Sequence, residues 1–145
     1  MHRLARLVGL AGVLAALVAT ITAGTVGATG ARTVGHLYVN NNSAGTNTIA
    51  GFNRHADGSL SPILGSPFTA GGAGTGLPFG SAGGLQETAN GRFLLAADPA
   101  SNQISVLRIR RDGSLALADL VSSNGLTPTS IAVHGSLVYV ANGGA

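Results

Sequence analysis

One carboxylate stands out among the residues that could do chemistry, because Glu87 is the only glutamate in this chain of 145 residues. Gln86 precedes it, and Thr129, Ser130 and His134 supply further polar side chains later in the chain. A carboxylate can act as a general base toward water, while amide and hydroxyl groups can stabilise a developing negative charge. The alternative is that Glu87 is a solvated residue at a strand end, the commoner situation for an isolated charge. We take Gln86, Glu87 and Ser130 as the candidate site residues.

Several other kinds of site are excluded by residue type and spacing. The chain has no cysteine, so it has neither disulfide bonds nor thiolate metal sites. His36, His55 and His134 lack the short spacings of a metal cluster, and no serine lies in a G-x-S-x-G elbow. The segment GGAGTGLPFG (71–80) lacks the Lys-Ser/Thr ending of a phosphate-binding loop, which indicates a long loop between structural units. We expect no metal and no cofactor.

The first 28 residues have the order of a secretory signal peptide. Arg3 and Arg6 are followed by 17 uncharged residues, LVGLAGVLAALVATITA, and then by small residues that suit cleavage after Ala23 or Ala28. A retained membrane anchor is the alternative, but the apolar run lies at the lower limit for spanning a bilayer. We expect residues 29–145 to be secreted, periplasmic or located at the cell surface, with membrane contact only during export.

The positive charge of the whole chain comes partly from this leader. Residues 29–145 carry six arginines against five acidic residues, so basicity alone does not indicate a nucleic-acid partner. The only basic cluster, Arg-Ile-Arg-Arg at 108–111, has no aromatic residues interleaved with it for base stacking. We interpret this cluster as the solvated edge of a strand and expect no nucleic-acid partner.

A repeated phrase indicates how these residues are positioned. TNTIAGFNRHADGSL at 46–60 aligns without a gap with SNQISVLRIRRDGSL at 101–115, at an offset of 55 residues. Each phrase is loosely alternating and reaches Asp-Gly, the signal of a tight turn between antiparallel strands. Three apolar segments, HLYVNN at 36–41, RFLLAAD at 92–98 and SLVYVAN at 136–142, also recur and end on Asn or Asp. The chain therefore repeats one unit: strand, loop, strand, turn, strand.

A unit of about 45–55 residues with four short strands is typical of a β-propeller blade. We predict an all-β fold in which residues 29–145 form a partial propeller with about two four-stranded blades present. The middle blade spans 84–121; the preceding one, near 36–64, lacks an evident innermost strand, and the following one, near 129–142, contains only its first two. The predicted strands of the middle blade lie near 84–88, 93–97, 102–109 and 114–121.

The order of these motifs resembles the lactonase-type seven-bladed β-propellers, the family of the bacterial 6-phosphogluconolactonases and the carboxymuconate-cyclase-like proteins. The resemblance rests on LYVNN, GRFLLAAD, LVYVAN and two Asp-Gly-Ser-Leu turns, and it covers residues 36–145. The YVTN-type propellers of surface-layer and periplasmic proteins are also similar, but the repeated turn favours the lactonase type. Seven blades would make this chain the N-terminal part of a protein that continues for about 200–250 residues.

The resemblance implies that innermost strands line a central channel, and Gln86, Glu87 and Ser130 would lie on its wall. We therefore expect an exported lactonase-like protein that hydrolyses a sugar lactone when full length and is inactive as this fragment. The alternative is a non-catalytic propeller that binds a protein, a carbohydrate or a surface polymer through one face. In the first case the partner is a small-molecule lactone, and the complete ring is expected to be a monomer.

Overall fold

The computed structural model describes residues 31–78 and 80–144, and the predicted signal peptide lies outside them. Within these residues every regular element is a β-strand, which confirms the all-β prediction. The described residues form no helix that could cross a membrane. The ten strands are β1 (Thr33–Asn40), β2 (Gly45–His55), β3 (Leu60–Pro62), β4 (Phe68–Gly74), β5 (Leu85–Glu87), β6 (Phe93–Asp98), β7 (Gln103–Ile109), β8 (Leu115–Ser122), β9 (Leu126–His134) and β10 (Leu137–Gly144).

The strands form three antiparallel sheets that follow one another along the chain. The middle sheet is a four-stranded meander in the order β5-β6-β7-β8. The sheet before it has the order β1-β2-β3, and β4 also pairs with β2. The sheet after it contains β9 and β10. We call these sheets the first, middle and last blades, because successive antiparallel meanders are the units of a propeller.

The pairing register confirms the repeat. Asn40 lies opposite Ile49 in the first blade, and Ala97 lies opposite Ile104 in the middle blade. Both isoleucines are buried, as expected for equivalent positions 55 residues apart. β1 therefore corresponds to β6, and the described part of the first blade contains no counterpart of the innermost strand β5.

The two Asp-Gly turns have the same local structure. Asp57 Oδ1 accepts hydrogen bonds from the backbone N–H and the hydroxyl of Ser59, at 3.0 and 2.7 Å. Asp112 Oδ1 accepts the same pair from Ser114, also at 3.0 and 2.7 Å. The intervening glycines have φ of 85° and 80°, in the left-handed region where a side chain would be strained. The phrase repeats because each turn needs the same three residues.

Two apolar clusters hold the blades together. The first cluster joins the first blade to the middle blade and contains Ile49, Ala70, Leu94, Ala96, Leu107 and Leu115. The second joins the middle blade to the last blade and contains Leu95, Ala97, Ile104 and Ile131. Adjacent residues of β6 belong to different clusters because side chains alternate between the two faces of a strand. The middle blade is thus packed on both faces.

The Gly-rich segment 71–80 is not wholly a loop, which corrects the sequence-based expectation. Its first four residues belong to β4, which pairs with the start of β2. A Cβ added at Gly72 would lie 2.6 Å from Asp98 Cβ and Ser101 Oγ, and one at Gly74 would lie 2.5 Å from the Asn42 backbone. Glycine is needed here because strand β4 approaches its neighbours too closely for side chains.

Candidate functional site

The candidate residues lie on β5 and β9, the innermost strands of the middle and last blades. The two strands are neighbours, since the Ile131 N–H donates to the carbonyl oxygen of Gly83 at 2.8 Å, just before β5 begins. β5 carries Gln86 and Glu87, and β9 carries Ser130. These strands form the described wall of the channel that a propeller encloses.

Glu87 is exposed and is the last residue of β5. A Cβ added at Gly91 would lie 3.2 Å from Glu87 Oε1, which places the carboxylate beside the turn that leads into β6. The charge of Glu87 also contributes to the pKa of Tyr38, which is raised to about 12 mainly by burial, then by Glu87 and by Asp112. The carboxylate therefore lies at the end of the channel wall, beside the β5–β6 turn.

Gln86 and Ser130 are half-buried and hydrogen-bonded within the protein. Gln86 Nε2 donates to the carbonyl oxygen of Leu85 at 3.0 Å. Ser130 Oγ lies 3.2 Å from Ser81 Oγ, and the Ser81 hydroxyl donates to the carbonyl oxygen of Thr129. The Ser81 bonds connect the loop before β5 to β9, whereas the Gln86 bond stays within β5.

The structure does not bring the three candidates together. Ser130 contacts the chain before the start of β5, through Ser81, whereas Glu87 ends that strand. At about 3.3 Å per residue, the four residues from Gly83 to Glu87 extend over about 13 Å. A base at Glu87 and a hydroxyl at Ser130 are therefore too far apart to act on the same atom of a small substrate.

A buried polar cluster lies elsewhere, between the first and middle blades. Asn47 and Asp98 are both fully buried, and Asn47 Nδ2 donates to Asp98 Oδ1 at 2.9 Å. The Ser105 hydroxyl donates to Asp98 Oδ2 at 2.6 Å and accepts from the Gly71 N–H at 2.8 Å. Asn47 Nδ2 also donates to Asn40 Oδ1 at 2.8 Å. We call Asn40, Asn47, Asp98 and Ser105 the inter-blade cluster.

Burial raises the pKa of Asp98, although hydrogen bonds from Ser105 and Asn47 act in the opposite direction. Both carboxylate oxygens accept hydrogen bonds, and access to solvent is closed. A buried carboxylate held in this way connects two sheets and has no route to a substrate. Sequence reasoning identified Asp98 only as a strand-end landmark, because its partner Asn47 is 51 residues away.

A cleft of about 420 Å³ opens beside the free edge of β1. Its polar lining includes Asn40 and Asn42, whose amide groups already bind the protein: Asn40 Nδ2 donates to Ala97 O at 2.9 Å, and Asn42 Nδ2 to Leu77 O at 2.9 Å. The cleft lies at the position where the middle blade has its innermost strand. Its shape therefore follows from the strand order of the first blade.

In residues 31–78 and 80–144, no three His, Asp or Glu side chains are grouped so that they could hold a metal ion. His55 Nε2 lies 2.8 Å from Ser61 Oγ, close to the first Asp-Gly turn. His36 packs against Gly113, on the second such turn. These two histidines take part in turn and blade packing.

Comparison with known proteins supports the architecture. The family model described as "Lactonase, 7-bladed beta-propeller" matches residues 36–144. A functionally unknown protein from Desulfotomaculum acetoxidans DSM 771 has a similar crystal structure, with 28% sequence identity and a TM-score of 0.55. That likeness covers 76% of this chain and 35% of the other, so this chain spans about a third of the length of the solved structure. A search of curated proteins finds no match. The chain belongs to the family of seven-bladed lactonase β-propellers.

Proposed function

We propose that this chain is part of an exported lactonase-type propeller that hydrolyses a sugar lactone at its central channel. The observation that carries the proposal is the family match over residues 36–144. Glu87 supports it as the exposed carboxylate on an innermost strand, where it could activate a water molecule. The other catalytic groups and the residues that select the substrate would come from the other blades of the ring.

The two innermost strands described here would not be sufficient for hydrolysis. Gln86 and Ser130 are hydrogen-bonded to the protein, and Glu87 lies at the far end of β5 from Ser130. A lactone needs a base and an oxyanion-stabilising donor held in a fixed geometry around one carbonyl. We therefore expect no lactone hydrolysis above background from the 145-residue chain alone.

A non-catalytic propeller that binds a protein, a carbohydrate or a surface polymer is the second candidate. The observation in its favour is that Ser81, Gln86 and Ser130 each make a side-chain hydrogen bond within the chain. Channel walls built in this way can support a binding face at the ends of the blades without any reaction.

An assay of lactone hydrolysis distinguishes the two candidates. The protein to assay is the product of the longest continuous reading frame that contains this sequence. The catalytic proposal predicts turnover of a sugar lactone by that product. Glu87→Gln should lower kcat by about 100-fold or more if Glu87 is the general base. Asp119→Asn, which removes an exposed carboxylate from the outer strand β8, should leave kcat unchanged.

Two results would contradict parts of this proposal. Turnover that is unaffected by Glu87→Gln would remove Glu87 from the mechanism and leave the lactonase function in place. An absence of turnover with any sugar lactone, in a folded and complete ring, would favour the non-catalytic candidate.

Export is part of the same proposal and rests on the pattern of residues 1–28. N-terminal sequencing of the secreted protein should find Gly24 or Thr29 as the first residue. A membrane-bound product that still begins with Met1 would show that the segment is an anchor.

A further inference from the structure

Asparagine is followed directly by glycine at three places in the chain, 90–91, 124–125 and 142–143. This dipeptide is prone to deamidation, because glycine has no side chain to hinder the attack of its backbone nitrogen on the preceding side-chain amide. Asparagine is accordingly one of the residues that limit the chemical lifetime of proteins. The three pairs are alike in sequence, so differences between their reaction rates come from the fold.

The first pair, Asn90 and Gly91, is fixed in the turn between β5 and β6. Asn90 Oδ1 accepts hydrogen bonds from the Thr88 hydroxyl at 2.9 Å and from the Arg92 N–H at 3.1 Å. The Gly91 N–H donates to the carbonyl oxygen of Thr88 at 2.8 Å. Hydrogen bonds therefore hold both the side-chain amide and the nitrogen that would attack it, so this turn must open before the two can react.

The third pair, Asn142 and Gly143, lies within β10. Asn142 is paired with Pro128 of β9, and its Nδ2 donates to the carbonyl oxygen of Ser123 at 3.2 Å. Ring closure requires a backbone rotation that brings the Gly143 nitrogen to the side-chain carbon of Asn142. The pairing of β10 with β9 opposes that rotation.

The second pair, Asn124 and Gly125, lies in the connection between β8 and β9 and is held in neither way. Asn124 is exposed and lines a cleft between the middle and last blades, where water has access. Within residues 31–78 and 80–144, neither the side-chain amide of Asn124 nor the Gly125 N–H is hydrogen-bonded to another group. Both reacting groups are therefore free to approach each other in the folded protein.

We propose that Asn124 is a site of spontaneous deamidation in the folded protein. The deprotonated backbone nitrogen of Gly125 attacks Cγ of Asn124. The new N–Cγ bond forms as the Cγ–Nδ2 bond breaks, and the amide nitrogen leaves as ammonia with the proton that the glycine nitrogen lost. Water then opens the five-membered ring at either carbonyl, which gives aspartate or isoaspartate. This modification is separate from the channel and does not depend on lactone hydrolysis.

The isoaspartate product changes a contact between the middle and last blades. Gly125 packs against Asn142 so closely that an added Cβ would overlap Asn142 Nδ2, and the Gly125 carbonyl oxygen accepts from the Ser123 hydroxyl at 3.0 Å. Isoaspartate lengthens the backbone by one atom directly before Gly125 and so displaces it from both partners. Aspartate keeps the backbone length and also tolerates the φ of 55° found at Asn124.

Ageing of the exported chain at mildly alkaline pH tests the site, because the reaction needs the glycine nitrogen without its proton. Trypsin cleaves after arginine and releases residues 55–92, which contain Asn90, and residues 112–145, which contain Asn124 and Asn142. Fragmentation of these peptides in a mass spectrometer locates each new carboxylate. Asn124 should convert about 10-fold or more faster than the other two, because each hydrogen bond that must open lowers the fraction of reactive molecules.

The same chain unfolded in urea provides the matched control. Only the fold is removed, so all three pairs should convert at rates within about threefold of one another, since each has glycine at the attacking position. The variant Thr88→Val tests the protection of Asn90, because it removes the hydroxyl that donates to Asn90 Oδ1. It should speed the conversion of Asn90 by about threefold or more and leave that of Asn124 unchanged.

The proposal is overturned if Asn90 or Asn142 converts as fast as Asn124 in the folded protein, or if Asn124 converts in urea but stays an amide when folded. It is also overturned if Asn124 leads by the same factor in urea, since local sequence would then explain the difference. The purified isoaspartate form should unfold at a lower urea concentration than Asn124→Asp, which should match wild type. Equal urea midpoints would contradict the proposed displacement of Gly125.

Discussion

The interface between the first and middle blades is more completely packed than the interface between the middle and last blades. In the first interface, Asn47 Nδ2 donates to Asp98 Oδ1, and both residues are fully buried. The equivalent repeat positions in the second interface are Asn102 and Asn142. Asn102 Oδ1 accepts from the Thr127 N–H at 2.8 Å, while the buried Oδ1 of Asn142 has no hydrogen-bond partner.

The apolar packing differs in the same way. In the first interface, β7 and β8 of the middle blade contribute Leu107 and Leu115 to the buried cluster. The described strands of the last blade are β9 and β10, so the opposite face of the middle blade, with Ile104 and Val106, borders a cleft of about 410 Å³. A blade thus needs its third and fourth strands to fill the space beside its neighbour. The repeated residues alone do not produce a repeated interface.

The largest effect is expected from the two faces of β7. Leu107 is fully buried in the first interface, so Leu107→Ala should lower the free energy of unfolding by about 2–5 kcal/mol. Val106, the preceding residue, lines the cleft, and Val106→Ala should cost less than about 1 kcal/mol. Urea unfolding of both variants measures the difference. Equal losses would show that the two interfaces are equally packed in solution.

The inter-blade cluster should give the next largest effect. Asp98→Ala removes the acceptor of the Ser105 hydroxyl and one of the acceptors of the Asn47 amide in a buried site, which should cost about 2–3 kcal/mol. Asn142→Ala, at the equivalent position of the last blade, removes one hydrogen bond to Ser123 and should cost less than about 1 kcal/mol. A larger loss for Asn142→Ala would contradict this ranking of the interfaces.

A smaller effect is expected from the hydroxyl of Tyr38. Tyr38→Phe removes the hydrogen bond to Gly113 between the first two blades and should cost about 1 kcal/mol. The pKa of Tyr38 is raised to about 12, so the hydroxyl remains a donor at neutral pH. Tyr139 is 58% exposed, and Tyr139→Phe serves as the control with no measurable change in unfolding free energy. Similar losses in both variants would show that this hydrogen bond is not specific to the interface.

The smallest effect is a pH dependence of stability. Because burial raises the pKa of Asp98 above 3.8, the folded state holds this proton more tightly than the unfolded chain. The resulting stability is complete below pH 3.8 and is lost as pH rises through the folded-state pKa of Asp98. Asp98→Asn removes this titration, so wild type should lose stability relative to the variant as pH rises through that window.

Urea unfolding of wild type and Asp98→Asn at several pH values measures this difference. The pKa values of Asp57 and Asp112 are lowered by hydrogen bonds from Ser59 and Ser114, so their stabilising contributions are lost as pH falls. Both aspartates are present in both proteins, and their contributions cancel in the comparison. A difference that stays constant with pH would mean that Asp98 has an ordinary pKa in the folded protein.

Local signals were sufficient to predict the blade repeat. Asp57 and Asp112 form their turns with residues one and two positions away, so the Asp-Gly-Ser sequence contains all the groups that the turn needs. Strand β6 was equally evident, since its apolar run is continuous and ends on Asp98. Strand β4 was missed because its last five residues are all glycine or alanine, and pairing with β2 rather than composition makes it extended.

The sequence predicted which strands carry the candidate site residues, but not how those residues lie relative to one another. Glu87 lies on an innermost strand, as the sequence indicated, but nothing in the residue order showed that Ser130 would be bonded to Ser81. The partner of Ser130 depends on how the loop after β4 crosses to the next blade. Such contacts are set by packing between blades, which local preference does not describe.

The amino-acid sequence alone was enough to predict the all-β repeat and the two Asp-Gly turns, because each depends on residues close together in the chain. Packing between the sheets determines that Asn47 contacts Asp98, which blade faces are closed, and that Glu87 and Ser130 lie apart along the channel wall. These arrangements join residues tens of positions apart. Their free energy comes from burial and hydrogen bonding between blades, which exist only once the sheets have packed.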